Sequence, residues 1–161
     1  GIDLFYALNK KAEDKGFPVF FLGATEEVAN KAAKNMQDRY PNLKIAGHHH
    51  GYFWDDEEAV VQEIKASGAK LLFVAITSPK KERFINRWRE QLGVTFVMGV
   101  GGTLDIVAGK TERAPKWMQQ AGLEWFYRLA QEPGRMWKRY LSTNSRFAWL
   151  LLQEKFRRSP S

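Results

Sequence analysis

Hydrophobic residues along this chain alternate between two patterns: short unbroken apolar runs, and longer stretches in which apolar positions recur at helical spacing. From Asp3 to Lys15, Leu4, Phe5, Leu8 and Ala12 follow the helical period and stop at Gly16, which predicts an amphipathic helix closed by a glycine. Pro18 begins a new element, and Val19-Phe20-Phe21-Leu22 is an all-apolar run of the kind expected of a strand covered on both faces. Gly23-Ala24-Thr25-Glu26-Glu27 follows, with Thr25 a natural N-cap and acidic residues opening a helix that runs to about Arg39. The unit then repeats in outline. Pro41-Asn42 predicts a turn, Leu43 to Ala46 a strand, and Asp55 to Ser67 a helix opened by consecutive acids and closed at Gly68. Leu71 to Ile76 is the third strand, Pro79 to Leu92 the next helix before Gly93, and Thr95 to Met98 the fourth strand.

Strands alternating with helices through short connections predict an α/β fold, a Rossmann-like and mostly parallel sheet with helices on both faces. Ligands of that class bind beyond the carboxyl ends of the strands. All four loops at that edge carry unusual residues: Gly23-Ala24-Thr25, His48-His49-His50-Gly51-Tyr52, Thr77-Ser78-Pro79-Lys80-Lys81-Glu82 and Gly99-Val100-Gly101-Gly102. In the last of these, glycines allow a backbone to approach a ligand closely or to open a helix N-terminus, and Asp105 follows within one helical turn. A carboxylate there suits the hydroxyls of a ribose, although acidic residues with that role usually stand further along the chain. The motif is not a standard G-x-G-x-x-G, and there is no Walker lysine pattern.

Each loop also has a plainer reading. Gly23 ends a strand as readily as it touches a ligand. Three consecutive histidines point different ways from an extended loop, and zinc sites separate their ligands, so no metal site is expected. Lys80 and Lys81 at a helix start oppose the dipole; facing a phosphate explains that cost, and a solvated charge run is the alternative.

Length and charge sharpen the domain picture. At 161 residues and 44% hydrophobic, the chain can bury one substantial core, with an appendage beyond it. Without cysteine, disulfides and thiol chemistry are excluded, which is compatible with a cytosolic or cytosol-facing protein. No apolar run approaches the ~20 residues that span a bilayer, and no signal peptide is recognisable. A first residue of Gly rather than Met suggests a fragment. Residues 1 to 112 carry fifteen charges of each sign, whereas from Arg113 onward ten Lys or Arg face three Glu, so the whole net charge of +7 lies there. That asymmetry predicts a neutral nucleotide-binding core over 1–112 and a basic helical appendage over 113–161 with an anionic partner. In the tail, Met136, Trp137, Tyr140, Leu141, Phe147, Trp149, Leu150, Leu151, Leu152 and Phe156 mix with Arg135, Lys138, Arg139, Arg146, Lys155, Arg157 and Arg158. Aromatic and basic residues on one helix suit the interface of an anionic bilayer; packing on the domain or on a second subunit is the alternative. Nucleic acid is not the expected partner, because the aromatics lie beside long apolar runs rather than on a sheet platform.

Taken together, Gly47-x-x-x-Gly51-Tyr52-Phe53, Ser78-Pro79-Lys80-Lys81-Glu82, Gly99-Val100-Gly101-Gly102-x-x-Asp105, Ala108-Gly109, Arg113-Ala114-Pro115-x-Trp117, Gly122-Leu123-Glu124-Trp125-x-Tyr127-Arg128 and Glu132-Pro133-x-Arg135 resemble the WecG/TagA/CpsF family, glycosyltransferases of family 26. The resemblance covers nearly the whole chain in consistent order. It implies transfer of N-acetylmannosamine or a related sugar from a UDP-sugar to a sugar on undecaprenyl diphosphate. Such a step feeds teichoic acid, common antigen or exopolysaccharide assembly. It also implies a peripheral protein at the cytoplasmic face of a bacterial membrane, with no metal and no other cofactor. Gly23, Thr25, Pro79, Lys81, Glu82, Gly99, Gly101, Gly102 and Asp105 would line the UDP-sugar pocket, with Asp105 toward the nucleoside. Arg113, Arg128, Arg135 and Lys138 would hold the acceptor's diphosphate while leaving-group charge is stabilised.

Two departures bear on the chemistry. The family usually has Gln where this chain has Lys81, which puts sugar specificity in question. Members also begin well before a segment like Gly1 to Leu4, and that earlier region carries the favoured catalytic base. An inverting transfer needs a base to deprotonate the attacking hydroxyl, and none of Asp55, Asp56, Glu82 and Asp105 is a convincing substitute. The catalytic residue is therefore expected outside this chain. The competing expectation is a UDP-sugar-binding or self-associating module, including a homo-oligomer, without catalysis of its own.

Overall fold

In a computed structural model, which describes residues 1–131, 133 and 134, the apolar runs form four strands that pair in parallel. They are β1 (Val19–Gly23), β2 (Ile45–His49), β3 (Leu71–Ala75) and β4 (Phe96–Gly99), in the spatial order β2-β1-β3-β4. The expected α/β architecture is the one observed. β1 is buried throughout and β3 nearly so, as unbroken apolar strands in the middle of a parallel sheet must be. β2 and β4 are the edges and are only partly covered.

Five helices, α1 (Ile2–Lys15), α2 (Glu26–Arg39), α3 (Glu57–Ala66), α4 (Lys80–Trp88) and α5 (Thr103–Val107), share the first 112 residues with the sheet. Because side chains alternate along a strand, the sheet has two distinct apolar faces. Phe21 and Phe73 meet Phe5 of α1, Met36 of α2 and Leu104 of α5 on one; Phe20, Leu22, Leu72 and Val74 meet Ile64 of α3 and Phe84 of α4 on the other. The Phe5 ring lies 4.9 Å from Phe73 and 5.8 Å from Phe21, which seats α1 over the central strand pair. α1 ends at Gly16 in the left-handed region, φ 66°, as its terminal glycine predicts. α2 approaches the sheet on small residues, Ala29, Ala32 and Ala33, after Thr25 caps its first turn by accepting from the Val28 N–H.

The largest departures from the sequence pattern are at β2 and α4. β2 was expected over Leu43 to Ala46 and lies over Ile45–His49. Leu43 is instead the inward anchor of the preceding turn, its N–H donating to the Tyr40 carbonyl at 3.0 Å. An edge strand tolerates the histidines that follow, because only part of its surface must be apolar. α4 stops at Trp88 rather than Leu92, the intervening residues continuing as turns held by bonds from the Gln91 and Leu92 N–H groups to Trp88 O.

The chain divides after Glu112 into two compact units. In the second, α6 (Lys116–Gln120) starts after Pro115 and α7 (Glu124–Gln131) follows a turn at Gly122. Trp117, Trp125 and Phe126 are exposed there. The remainder of the basic aromatic tail lies outside the described residues. Among the described residues, no helix is long and apolar enough to cross a membrane.

Gly47 shows how tightly the second face is packed. It pairs with Phe20 across β1 and β2, and a Cβ there would lie 2.5 Å from the fully buried Phe20 ring. Gly47→Val should therefore destabilise the fold by about 2 kcal/mol through overpacking, read as a lower denaturation midpoint with an unchanged slope in urea.

Candidate functional site

The strand order reverses between β1 and β3, so the crevice beyond their carboxyl ends is the topological switch point of the sheet. Backbone groups tie all four strand ends into a continuous rim there. The Gly51 N–H donates to Ala24 O at 2.8 Å, the Ala24 N–H to Ala75 O at 3.2 Å, and the Val100 N–H to Val74 O at 2.9 Å. Three features of the local sequence make this possible. Gly23 has φ 128°, and a Cβ on it would stand 2.4 Å from the Ala75 carbonyl oxygen, so only glycine lets the β1 and β3 backbones come this close. Ala24 follows at φ 60°, a left-handed conformation for a residue with a Cβ, of the kind that concentrates at functional turns. Gly51 packs on the same turn, with room for a Cβ only 3.1 Å from Gly23 Cα.

The β3–α4 and β4–α5 connections complete the rim. Pro79 is the N-cap of α4, following a cis Ser78–Pro79 peptide, and leaves Lys81 and Glu82 in the first turn. The Lys81 stem lies across Gly99: a Cβ on that glycine would stand 2.8 Å from Lys81 Cδ and Cε and 3.0 Å from Nζ. Its ammonium is 3.1 Å from a Glu82 carboxylate oxygen. Beyond Gly99, Gly101 sits at φ 53° with open space where a Cβ would be, and Gly102 caps α5. Thr103 returns its hydroxyl to Val100 O at 2.7 Å, closing the turn.

The expected donor residues thus occupy one edge of the sheet, at the ends of β1 (Gly23, Thr25), β3 (Pro79, Lys81, Glu82) and β4 (Gly99, Gly101, Gly102, Asp105). Lys81 is in direct apposition to both Gly99 and Glu82. Thr25 is exposed, with its hydroxyl on the α2 cap. Asp105 is buried in α5, and its carbonyl accepts the Lys110 and Thr111 N–H groups, so it also braces the turn that follows. The rim roles of Ala24 and Gly51 were not singled out by sequence. Both lie in rim loops that the sequence marks as unusual, and Gly51 also belongs to the family pattern, but neither signal gives the backbone role.

Charge state limits what the carboxylates can do. The Glu82 carboxyl is held below the usual carboxylate range, first by its own backbone N–H, then by the Lys81 ammonium and by Ser78. A carboxylate with a lowered pKa is a weaker proton acceptor, so Glu82 is a poor general base. Asp56 is occupied as the N-cap of α3, accepting from the Ala59 N–H at 3.2 Å. The histidines divide across the sheet. His48 contacts Asn30 of α2, whereas His49 lies 3.9 Å from Glu63 of α3. Among the described residues no group of three or more His, Cys, Asp or Glu is placed to hold a metal ion.

In the second unit, Arg113 is half-buried with its Nε 3.7 Å from a Glu124 oxygen, a contact that joins the RAP-x-W and GLEW segments. The Gln119 side-chain amide donates to Ala114 O at 2.6 Å and fixes the start of α6. The side chain of Arg128 and all of Arg135 and Lys138 lie outside the described residues.

The chain is similar in sequence to known proteins. The chain is 37% identical over 155 residues to the N-acetylglucosaminyldiphosphoundecaprenol N-acetyl-beta-D-mannosaminyltransferase of Bacillus subtilis strain 168, an alignment covering 96% of this chain and 60% of that protein. It is 36% identical over 160 residues to the protein of the same name from Bacillus spizizenii strain W23, covering 99% of this chain and 62% of the relative. The chain therefore spans about three fifths of the length of these relatives. With residues 1–161 matched throughout, the chain belongs to the glycosyl transferase WecG/TagA/CpsF family.

Proposed function

We propose that this chain binds a UDP-sugar, N-acetylmannosamine or a related sugar on UDP, as the donor part of an inverting transfer to a sugar carried on undecaprenyl diphosphate. The rim at the switch point is the observation that carries this reading. Its glycine turns expose backbone to a ligand, Gly101 leaves open space above the β4–α5 turn, and Lys81 brings a positive charge beside Gly99. Such a surface suits a diphosphate, whose oxygens accept from backbone N–H groups and an ammonium. In the transfer, the acceptor hydroxyl attacks the anomeric carbon, the bond from that carbon to the UDP oxygen breaks, and a base takes the hydroxyl proton. The departing UDP gains negative charge, and the reading assigns Lys81 to stabilise it. Glu82 is paired with Lys81 and Asp56 caps α3, and the reading assigns the base to a region outside residues 1–161, as the family resemblance implies. Arg113, Arg128, Arg135 and Lys138 are assigned to the acceptor diphosphate, and the basic aromatic tail to an anionic bilayer at the cytoplasmic face, where a lipid-linked acceptor would be met.

UDP release by the 161-residue chain, supplied with UDP-N-acetylmannosamine and a short-chain diphospholipid bearing N-acetylglucosamine, tests the assignment of the base. The expected result is UDP binding without acceptor-dependent turnover; turnover would place the base within the chain, and absence of UDP binding would remove the donor reading. Gly99→Ala probes the pocket itself. Its Cβ displaces only the flexible end of Lys81, so the denaturation midpoint should hold while UDP-sugar affinity falls about tenfold, or roughly 1.4 kcal/mol. For the tail, a chain ending at Gly134 should lose flotation with anionic liposomes; equal flotation of the intact and shortened chains would refute the membrane assignment.

A further inference from the structure

The two consecutive lysines that open α4 go to different neighbours. Lys81 lies on Gly99, whereas the Lys80 ammonium sits 4.6 Å from the centre of the Trp54 ring, in the connection after β2. There it enters a cavity of about 410 Å³ lined by Trp54, Glu57, Lys80, Arg83, Phe84 and Arg87. None of the rim residues lines this cavity. Lys80, Arg83 and Arg87 stand at i, i+3 and i+7, so a single stripe of α4 supplies all three cations. Glu57, the one carboxylate among them, is committed: it accepts from Trp88 Nε1 at 2.7 Å and from Arg87 at 3.4 Å. Among the described residues, Lys80 and Arg83 form no ion pair. An adjoining cavity of about 420 Å³ shares Trp54, Glu57 and Arg87 and adds Asp55, Asp56, Glu58 and Trp88. The groove is therefore basic at one end, acidic at the other, and aromatic between.

We propose that this groove is a second ligand site, separate from the rim, that takes the phosphate ester of a polyol. Paired cations without a carboxylate repel one another, and an anion between them relieves that repulsion. Arginine presents a planar fork that matches two phosphate oxygens, and lysine adds a point charge. The cavity is far larger than a bare ion needs and falls in the range of small-molecule sites. Trp54 offers apolar surface to a carbon skeleton, and the carboxylates at the far end accept hydrogen bonds from its hydroxyls. This chemistry has two sources: the headgroup of an anionic glycerophospholipid, or a soluble sugar or glycerol phosphate.

Two-dimensional NMR of the intact chain reads the site directly through the indole N–H of Trp54, identified by its loss in Trp54→Phe. Glycerol phosphate, uncharged glycerol, and small bicelles with or without phosphatidylglycerol are titrated in turn at fixed ionic strength. The site predicts a saturable shift of the Trp54 signal with glycerol phosphate or with phosphatidylglycerol bicelles, and none with glycerol or neutral bicelles. Whichever of the two acts identifies the source. In the Lys80→Gln/Arg83→Gln double variant, whose replaced side chains are exposed, the same ligand should bind at least about tenfold more weakly with UDP affinity unchanged. A Trp54 signal that neither ligand moves, or that moves equally in the double variant, overturns the proposal. So does competitive displacement by UDP, which would make the groove part of the rim; because UDP binding is scored separately, this outcome is distinct from failure of the donor reading.

Discussion

The fold depends on how closely β1 and β3 approach at their carboxyl ends. A side chain on Gly23 would overlap the Ala75 carbonyl, so the central pair can keep its register to the last residue only with glycine there. Everything beyond follows from that contact. Ala24 is turned left-handed, its N–H is delivered to Ala75 and its carbonyl to Gly51, and the end of β2 is drawn onto the end of β1. The sheet therefore ends in a surface held chiefly by backbone bonds, the kind of base that the proposed diphosphate ligand calls for. The apolar faces on either side, with Phe5 over Phe21 and Phe73 on one and Phe84 near Phe20's partners on the other, hold this edge in place.

Electrostatics divides along a different line from the fold. The first 112 residues are neutral in sum, yet the charges are locally sorted: α4 carries a basic stripe, and the entry to α3 carries Asp55, Asp56, Glu57 and Glu58. α3 is oriented with acids at its N-terminus, where its dipole favours them. α4 begins with two lysines, where its dipole does not, so their placement answers to something other than helix stability. Lys81 meets Glu82 and covers Gly99; Lys80 meets an aromatic ring. A zero net charge thus conceals two neighbouring lysines with separate surroundings.

The alternation of strands and helices was legible because each central strand is an unbroken apolar run and each helix carries its own stop or start residue, Gly16, Thr25 and Gly68 among them. β2 lies two to three residues beyond its expected place because its apolar residues belong partly to the turn before it, and because an edge strand can include histidines that periodicity reads as loop. The family was legible from motifs that are specific in combination. What the glycines do was not. Gly47 makes room for a ring, Gly23 for a carbonyl, Gly99 for a lysine stem, and Gly101 supplies a left-handed turn; four different requirements are written with one letter. Each is set by a residue distant in sequence or by a backbone angle, and neither leaves a local trace. The pairing of Lys80 with Trp54 was hidden for the same reason, since the two come from different connections.

The phase of α4 sets a rule for how this segment can vary. Phe84 is buried and locks the rotation of the helix, and the two lysines precede it by three and four residues. Because each residue advances a helix by about 100°, one residue inserted or deleted between Lys81 and Phe84 would swing both ammonium groups off their neighbours at once, whereas a substitution disturbs only one. Among relatives that keep both contacts, the spacing in this turn should then be invariant even where the amino acids are not. Length, rather than identity, is the quantity this stretch of chain must preserve.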